Sequence, residues 1–157
     1  MQTQMKAKGT YRIIGRRDGK TFYDRSYKNV VTQQYFDALF KFMDTTDSSA
    51  TVDDLKINVF AIGTGTAAAT KNDIQLGNEI FRKSVTDVYR SSTFIQITIE
   101  LTIAEGALTF SEIGLFANAD VGTPDDGTLI SHKAIEEIAK TADEQYTIIY
   151  TFDIQEA

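Results

Sequence analysis

The chain has one histidine, His132, and no cysteine. A Ser-His-Asp arrangement would have to use that single ring, and a Cys-His pair cannot form. His132 follows Thr128-Leu129-Ile130-Ser131, an alternating run in which a structural or surface histidine is the simpler expectation. Neither H-E-x-x-H nor G-x-x-x-x-G-K-[ST] occurs. Asp44, Asp47, Asp53 and Asp54, and the pair Asp125 and Asp126, offer oxygen ligands for calcium but lack EF-hand spacing. Carboxylate pairs of the glycosidase type would want a sugar platform beside them, and tryptophan, the usual one, is absent. The expectation is a protein that is not an enzyme, with no catalytic, cofactor-binding or metal-binding residues.

One stretch tests that expectation. Ile57-Asn58-Val59-Phe60-Ala61-Ile62 drives into Gly63-Thr64-Gly65-Thr66. The apolar run predicts a central strand buried on both faces, with Asn58 its only clearly polar member. Gly63, Gly65 and Ala68 fit G-x-G-x-x-[G/A], and Asp87 lies at a distance suited to a ribose-binding acid. A dinucleotide fingerprint also needs a helix opening at the last small residue. Ala67-Ala68-Ala69 has helical propensity, but Asn72 and Gly77 interrupt it and no apolar stripe at helical spacing follows. The glycines, with Gly77, are therefore expected to be structural, ending the strand through backbone angles that other residues resist.

These residues need a scaffold, and 157 residues at 42% hydrophobic and 24% charged suffice for one soluble domain with its own core. No apolar run is long enough to span a bilayer, and residues 1–8 are polar, unlike a signal peptide. The lack of cysteine suits a reducing cytoplasm. Charge is uneven. Residues 1–28 hold eight basic and two acidic side chains, and the remainder holds eight basic and twenty acidic, so +6 faces −12. Such a split marks a nucleic-acid arm or a self-complementary assembly surface, or else a hairpin whose lysines discourage edge pairing.

The elements follow from periodicity. Tyr11 to Ile14 and Thr21 to Tyr23 flank Arg17-Asp18-Gly19-Lys20, a hairpin with a strong Asp-Gly turn signal. Thr32 can cap a helix at 33–43, on which Phe36, Leu39, Phe40 and Met43 form one apolar face expected to be core. Residues 78–90 predict a strand. Ile95, Ile97, Ile99, Leu101 and Ile103 alternate with polar partners in another. Leu108 to Phe110 and Glu112 to Phe116 follow. Residues 128–131 read as strand, and 134–138 as strand or helical turn. Tyr146, Ile148, Tyr150, Phe152 and Ile154 line the last strand. Short connections favour antiparallel pairing. The expected fold is mainly β: an antiparallel two-sheet sandwich of seven or eight strands, with one α-helix packed against it and an N-terminal β-hairpin. Residues 1–28 are expected to form a basic arm and 29–157 the β-sandwich domain.

Read in order, residues 28 to 154 carry Asn29-Val30-Val31-Thr32 and an aromatic helix, then Ala61-Ile62-Gly63-Thr64-Gly65-Thr66. Asp73, Leu76-Gly77-Asn78-Glu79 and Arg82 follow, then Glu112-Ile113-Gly114-Leu115-Phe116, Thr128-Leu129-Ile130-Ser131 and a closing alternating strand. This order resembles small structural proteins of tailed bacteriophages, found among tail, baseplate and fibre-associated components. The resemblance implies a non-catalytic virion part, assembled in the bacterial host cytoplasm, whose partners are copies of itself and neighbouring virion proteins. It carries over no catalytic residue. Neck or capsid-surface roles, and a receptor- or carbohydrate-binding module using a loop such as 118–127, are the alternatives. The hairpin lies outside the pattern. Its Arg12, Arg16, Arg17, Lys20 and Arg25 are expected to dock on an acidic surface of a neighbouring subunit. The acidic remainder argues against nucleic acid as the partner, and nothing points to a membrane.

Overall fold

In a computed structural model, which describes residues 5–156, the chain forms two antiparallel five-stranded sheets, one helix and two short 3-10 turns. This is the mainly β, two-sheet class with one helix and an N-terminal hairpin that the sequence predicts. The residues divide into two compact units. The first holds residues up to Asn29, Val85–Thr109 and those from Glu137 onward; the second holds Val30–Ser84 and Phe110–Glu136.

The first sheet has the order β2-β1-β10-β7-β6, with β1 Met5–Arg17, β2 Lys20–Lys28, β6 Asp87–Arg90, β7 Phe94–Leu101 and β10 Glu144–Glu156. Asp18 and Gly19 both take positive φ, 49° and 73°, as a tight hairpin turn requires. β1 pairs with β10 along its whole length, from Met5 opposite Glu156 to Arg17 opposite Glu144. Residues 5–28 are thus two strands of the first sheet rather than a separate arm, and the domain that was expected to begin at 29 returns to that sheet twice. The reason is alternation: Tyr11 and Ile13 share the buried face with Ile148, Tyr150, Ile97 and Ile99. β7 ends at Leu101. Thr102 then caps a 3-10 turn, accepting from Ala104 N while Glu105 reaches back to Thr102 N, which leaves Ile103 exposed rather than in the core.

The second sheet has the order β3-β9-β8-β4-β5, with β3 Val30–Val31, β4 Ile57–Gly63, β5 Glu79–Ser84, β8 Leu108–Ala117 and β9 Thr128–Lys140. β4 is central, as its apolar run requires. The 78–90 segment is two strands, β5 and β6, in different sheets. Residues 134–138 continue β9 and do not turn into helix. Ten strands result among the described residues, more than the seven or eight expected.

Helix α1, Gln33–Met43, has the predicted bounds, but its orientation differs from the expectation. None of its residues is fully buried, and Phe40 and Met43 are 62% and 67% exposed. Polar anchoring at its start sets the rotation. Thr32 is buried and spends its hydroxyl on Leu129 O instead of capping the helix, Thr32 N donates to Ile130 O (3.0 Å), and Gln34 Oε1 accepts from Leu129 N (3.0 Å). Gln34, Tyr35, Ala38 and Leu39 are half-buried, and the Phe40 side turns to solvent.

Candidate functional site

Glu112 sits mid-strand in β8, between Ser111 and Ile113, and is 1% exposed. A carboxylate buried among apolar neighbours must be satisfied by donors, and here backbone supplies three. Gly65 N and Asn78 N donate to its Oε1, each at 2.8 Å, and Gly77 N donates to Oε2 at 2.9 Å. The fourth donor is His132 Nε2, on β9, at 3.0 Å from Oε2. Burial pushes the Glu112 carboxyl up, but the three amides and His132 outweigh it, so it titrates below the ordinary glutamate value.

His132 is 5% exposed, not a surface ring. Its Nδ1 lies 2.7 Å from Asp73 Oδ2. Both ring nitrogens thus face carboxylates, Asp73 on one side and Glu112 on the other. Asp73 is itself fixed by Thr70, whose N and Oγ1 donate to it at 2.8 and 2.6 Å. Burial raises the Asp73 carboxyl, but the Thr70 and His132 hydrogen bonds bring it below the ordinary aspartate value. An Asp-His pair can act as the base end of a hydrolytic triad. Here Glu112, not a hydroxyl, occupies the far side of the ring.

The glycines are explained by this carboxylate. A Cβ on Gly63 would lie 2.3 Å from Glu112 Oε1 and 2.5 Å from Asn78 O, and one on Gly65 would lie 2.6 Å from Glu112 Oε1. Gly77 packs tightly but less closely, its Cβ position 3.2 Å from Gly65 Cα. The positive-φ glycines are Gly19, Gly106 and Gly127, so Gly63 and Gly65 are needed for space and not, as the sequence suggested, for backbone angle. Gly114 follows the same logic: Leu76, in the core with Val59, Ala61, Phe116 and Leu129, fills the space its side chain would take. Residues 64–78 contain no helix, and the Gly65 amide that would face a phosphate already serves Glu112. Asp87 lies in β6 of the other sheet. The local geometry is that of an anion cradle whose anion is the chain's own side chain.

A second buried pair lies in the same unit. Arg82 grips Glu79 with two bonds, 2.5 and 2.8 Å, its guanidinium 5.1 Å from the centre of the Phe116 ring. Arg82 Nη1 donates to Asp120 O (2.7 Å) and Asp126 O (3.3 Å), which ties down the 118–127 loop. The acidic loop residues serve local turns: Asp44 accepts from Thr46, Asp47 from Ser49, Asp54 from Thr51, and Asp126 from Asp120 N. Asp53 pairs with Lys56, and Asp125 N donates to Glu79. Among the described residues no group of three or more His, Asp or Glu is arranged to hold a metal.

The basic hairpin residues are not brought to this site. Arg12 holds Asp24 with bonds of 3.0 and 2.7 Å, Arg16 donates to Thr147 (3.0 Å), and Arg17 pairs with Glu144 and with Asp143 (3.3 Å). Lys20 and Arg25 are exposed. Sequence reasoning missed Glu112 and Asp73 as partners of His132. The available signal was a lone acid inside the apolar run from Phe110 to Ala117, in a chain with one histidine.

No protein-family model matches the chain, and neither a curated protein nor a solved structure matches it. No helix among the described residues is long and apolar enough to cross a membrane.

Proposed function

We propose that the protein is a structural component of a tailed-bacteriophage virion, a non-catalytic assembly module of the tail, baseplate or fibre-attachment region. One observation supports the reading above the others. Most of the segments whose order resembles such proteins, 30–32, 61–66, 73–82, 112–116 and 128–131, lie in the second unit, where Glu112, His132 and Arg82 tie several of them together, while the closing strand lies in the first. The motifs are then explained as architecture: glycines that admit a carboxylate, amides that cradle it, and an arginine that fastens a loop. The partners are copies of the chain and neighbouring virion proteins. Lys20 and Arg25 are the hairpin cations with most freedom to meet an acidic neighbour, since Arg12, Arg16 and Arg17 hold partners within the chain.

Mass spectrometry of purified particles tests the proposal. The protein should be present at a fixed ratio to the other virion proteins and should be accessible to labelled antibody at one place on the particle. Its absence from particles that are complete and infectious would overturn the reading.

A further inference from the structure

The outward side of α1 does not look like a solvated helix face. Phe40 and Met43 are exposed, one turn apart, and the half-buried Phe36 lies one turn before Phe40. Together they present on the order of 300 Å² of apolar surface, within the size of the largest patch on a typical monomer, which is often functional. The opposite flank of the same exposed side carries Asp37 and Lys41. These are spaced for an intrahelical pair, yet Asp37 Oδ1 accepts from Gln33 Nε2 (2.9 Å) instead.

We propose that α1 packs antiparallel on α1 of a second copy, about a two-fold axis, through Phe36, Phe40 and Met43. The occupant is argued from self-complementarity. In an antiparallel pair about a two-fold axis each flank meets the same flank of the other helix, running the opposite way. The Phe36/Met43 flank therefore meets itself, apolar on apolar. The other flank also meets itself reversed, so Asp37 of one copy faces Lys41 of the second copy, twice. The patch is less than half of the roughly 800 Å² that each partner buries in a standard interface, so the contact is weak and concentration-dependent. In an assembly, many weak contacts of this kind add through multivalency. The inference rests on the assembly reading only in taking copies of the chain as the partner.

Sedimentation velocity of the full chain, from about 10 µM to about 1 mM, tests it. The wild type should shift from monomer to dimer across that range, and Phe40→Asp should stay monomeric with an unchanged circular dichroism spectrum. Asp37→Lys and Lys41→Glu should each weaken the dimer. An equimolar mixture of the two should restore it, because only the mixed pair places opposite charges at both contacts. Lys41 also lies near Asp47 and Asp54. The spectrum of each variant is therefore recorded, and Phe40→Asp decides the matter if Lys41→Glu unfolds. A wild type that remains monomeric throughout, or a dimer that survives Phe40→Asp, would overturn the inference. Either result leaves the particle measurement above untouched, so the two ideas fail separately.

Discussion

The two sheets are held by different physics. The first is organised by side-chain alternation: Tyr11 and Ile13 on β1, Ile97 and Ile99 on β7, and Ile148 and Tyr150 on β10 are buried on one face, each paired across strands in register. It buries one carboxylate at a strand end, Glu144, paired with Arg17, whereas the second has a buried polar node at mid-strand, in which Glu112 collects three backbone amides and His132. Apolar burial does not depend on charge state, whereas a buried carboxylate network depends on both charge and complete satisfaction. The contrast predicts that the sheets respond differently to the same insults.

The largest effect is expected at Glu112. Glu112→Ala leaves the Gly65, Gly77 and Asn78 amides and His132 without their acceptor, which should cost roughly 3–5 kcal/mol in denaturant unfolding. Ile148→Ala in the first sheet should cost about 2–5 kcal/mol through a cavity. Its cost should be the same at pH 7 and pH 4, and a cost that changed with pH would blur the distinction between the sheets.

Acid should act on the node next. Glu112 and Asp73 both titrate below their ordinary values in the fold. The unfolded chain therefore takes up protons first as pH drops. The stabilisation they give is fully present above about pH 4.5, the ordinary carboxylate range, and is lost as pH falls through their depressed folded values. The denaturation midpoint followed from pH 7 to pH 2.5 should fall at the acid end, and Glu112→Gln should flatten that fall. Equal slopes in the two proteins would place the acid sensitivity elsewhere.

The smallest effect is expected on α1. Phe40→Ala, at a side chain 62% exposed, should change the stability of the monomer by no more than about 0.5 kcal/mol. The sequence alone predicts several times that, because Phe36, Leu39, Phe40 and Met43 form a regular apolar face. A measured loss above about 2 kcal/mol would show that this face is core after all.

These differences also mark what the sequence could reveal. Strand alternation and the Asp18-Gly19 turn are local signals, so β1, β2, β7 and β10 of the first sheet and the bounds of α1 were legible. The rotation of α1 was not, because it is set by Thr32 and Gln34 bonding to Leu129 and Ile130, nearly 100 residues away. The split of 78–90 into two strands was likewise hidden, since either half alone reads as strand. At the site, Gly63 and Gly65 were recognisable as special, but not why. Their close approach to Glu112 spans nearly fifty residues and leaves no local pattern.

The central claim is that Glu112 holds the 64–78 loop through its amides. Amide hydrogen exchange by NMR, in wild type and in Glu112→Gln, tests it residue by residue. The account predicts slow exchange at Gly65, Gly77 and Asn78 in the wild type, accelerated by at least about tenfold, equivalent to about 1.4 kcal/mol, at those of the three that face the glutamine NH2 in Glu112→Gln, which keeps a single acceptor oxygen. The β1–β10 ladder amides, such as those of Ile13 and Ile148, should change little. Fast exchange at the three loop amides in the wild type, or protection left intact by Glu112→Gln, would contradict it.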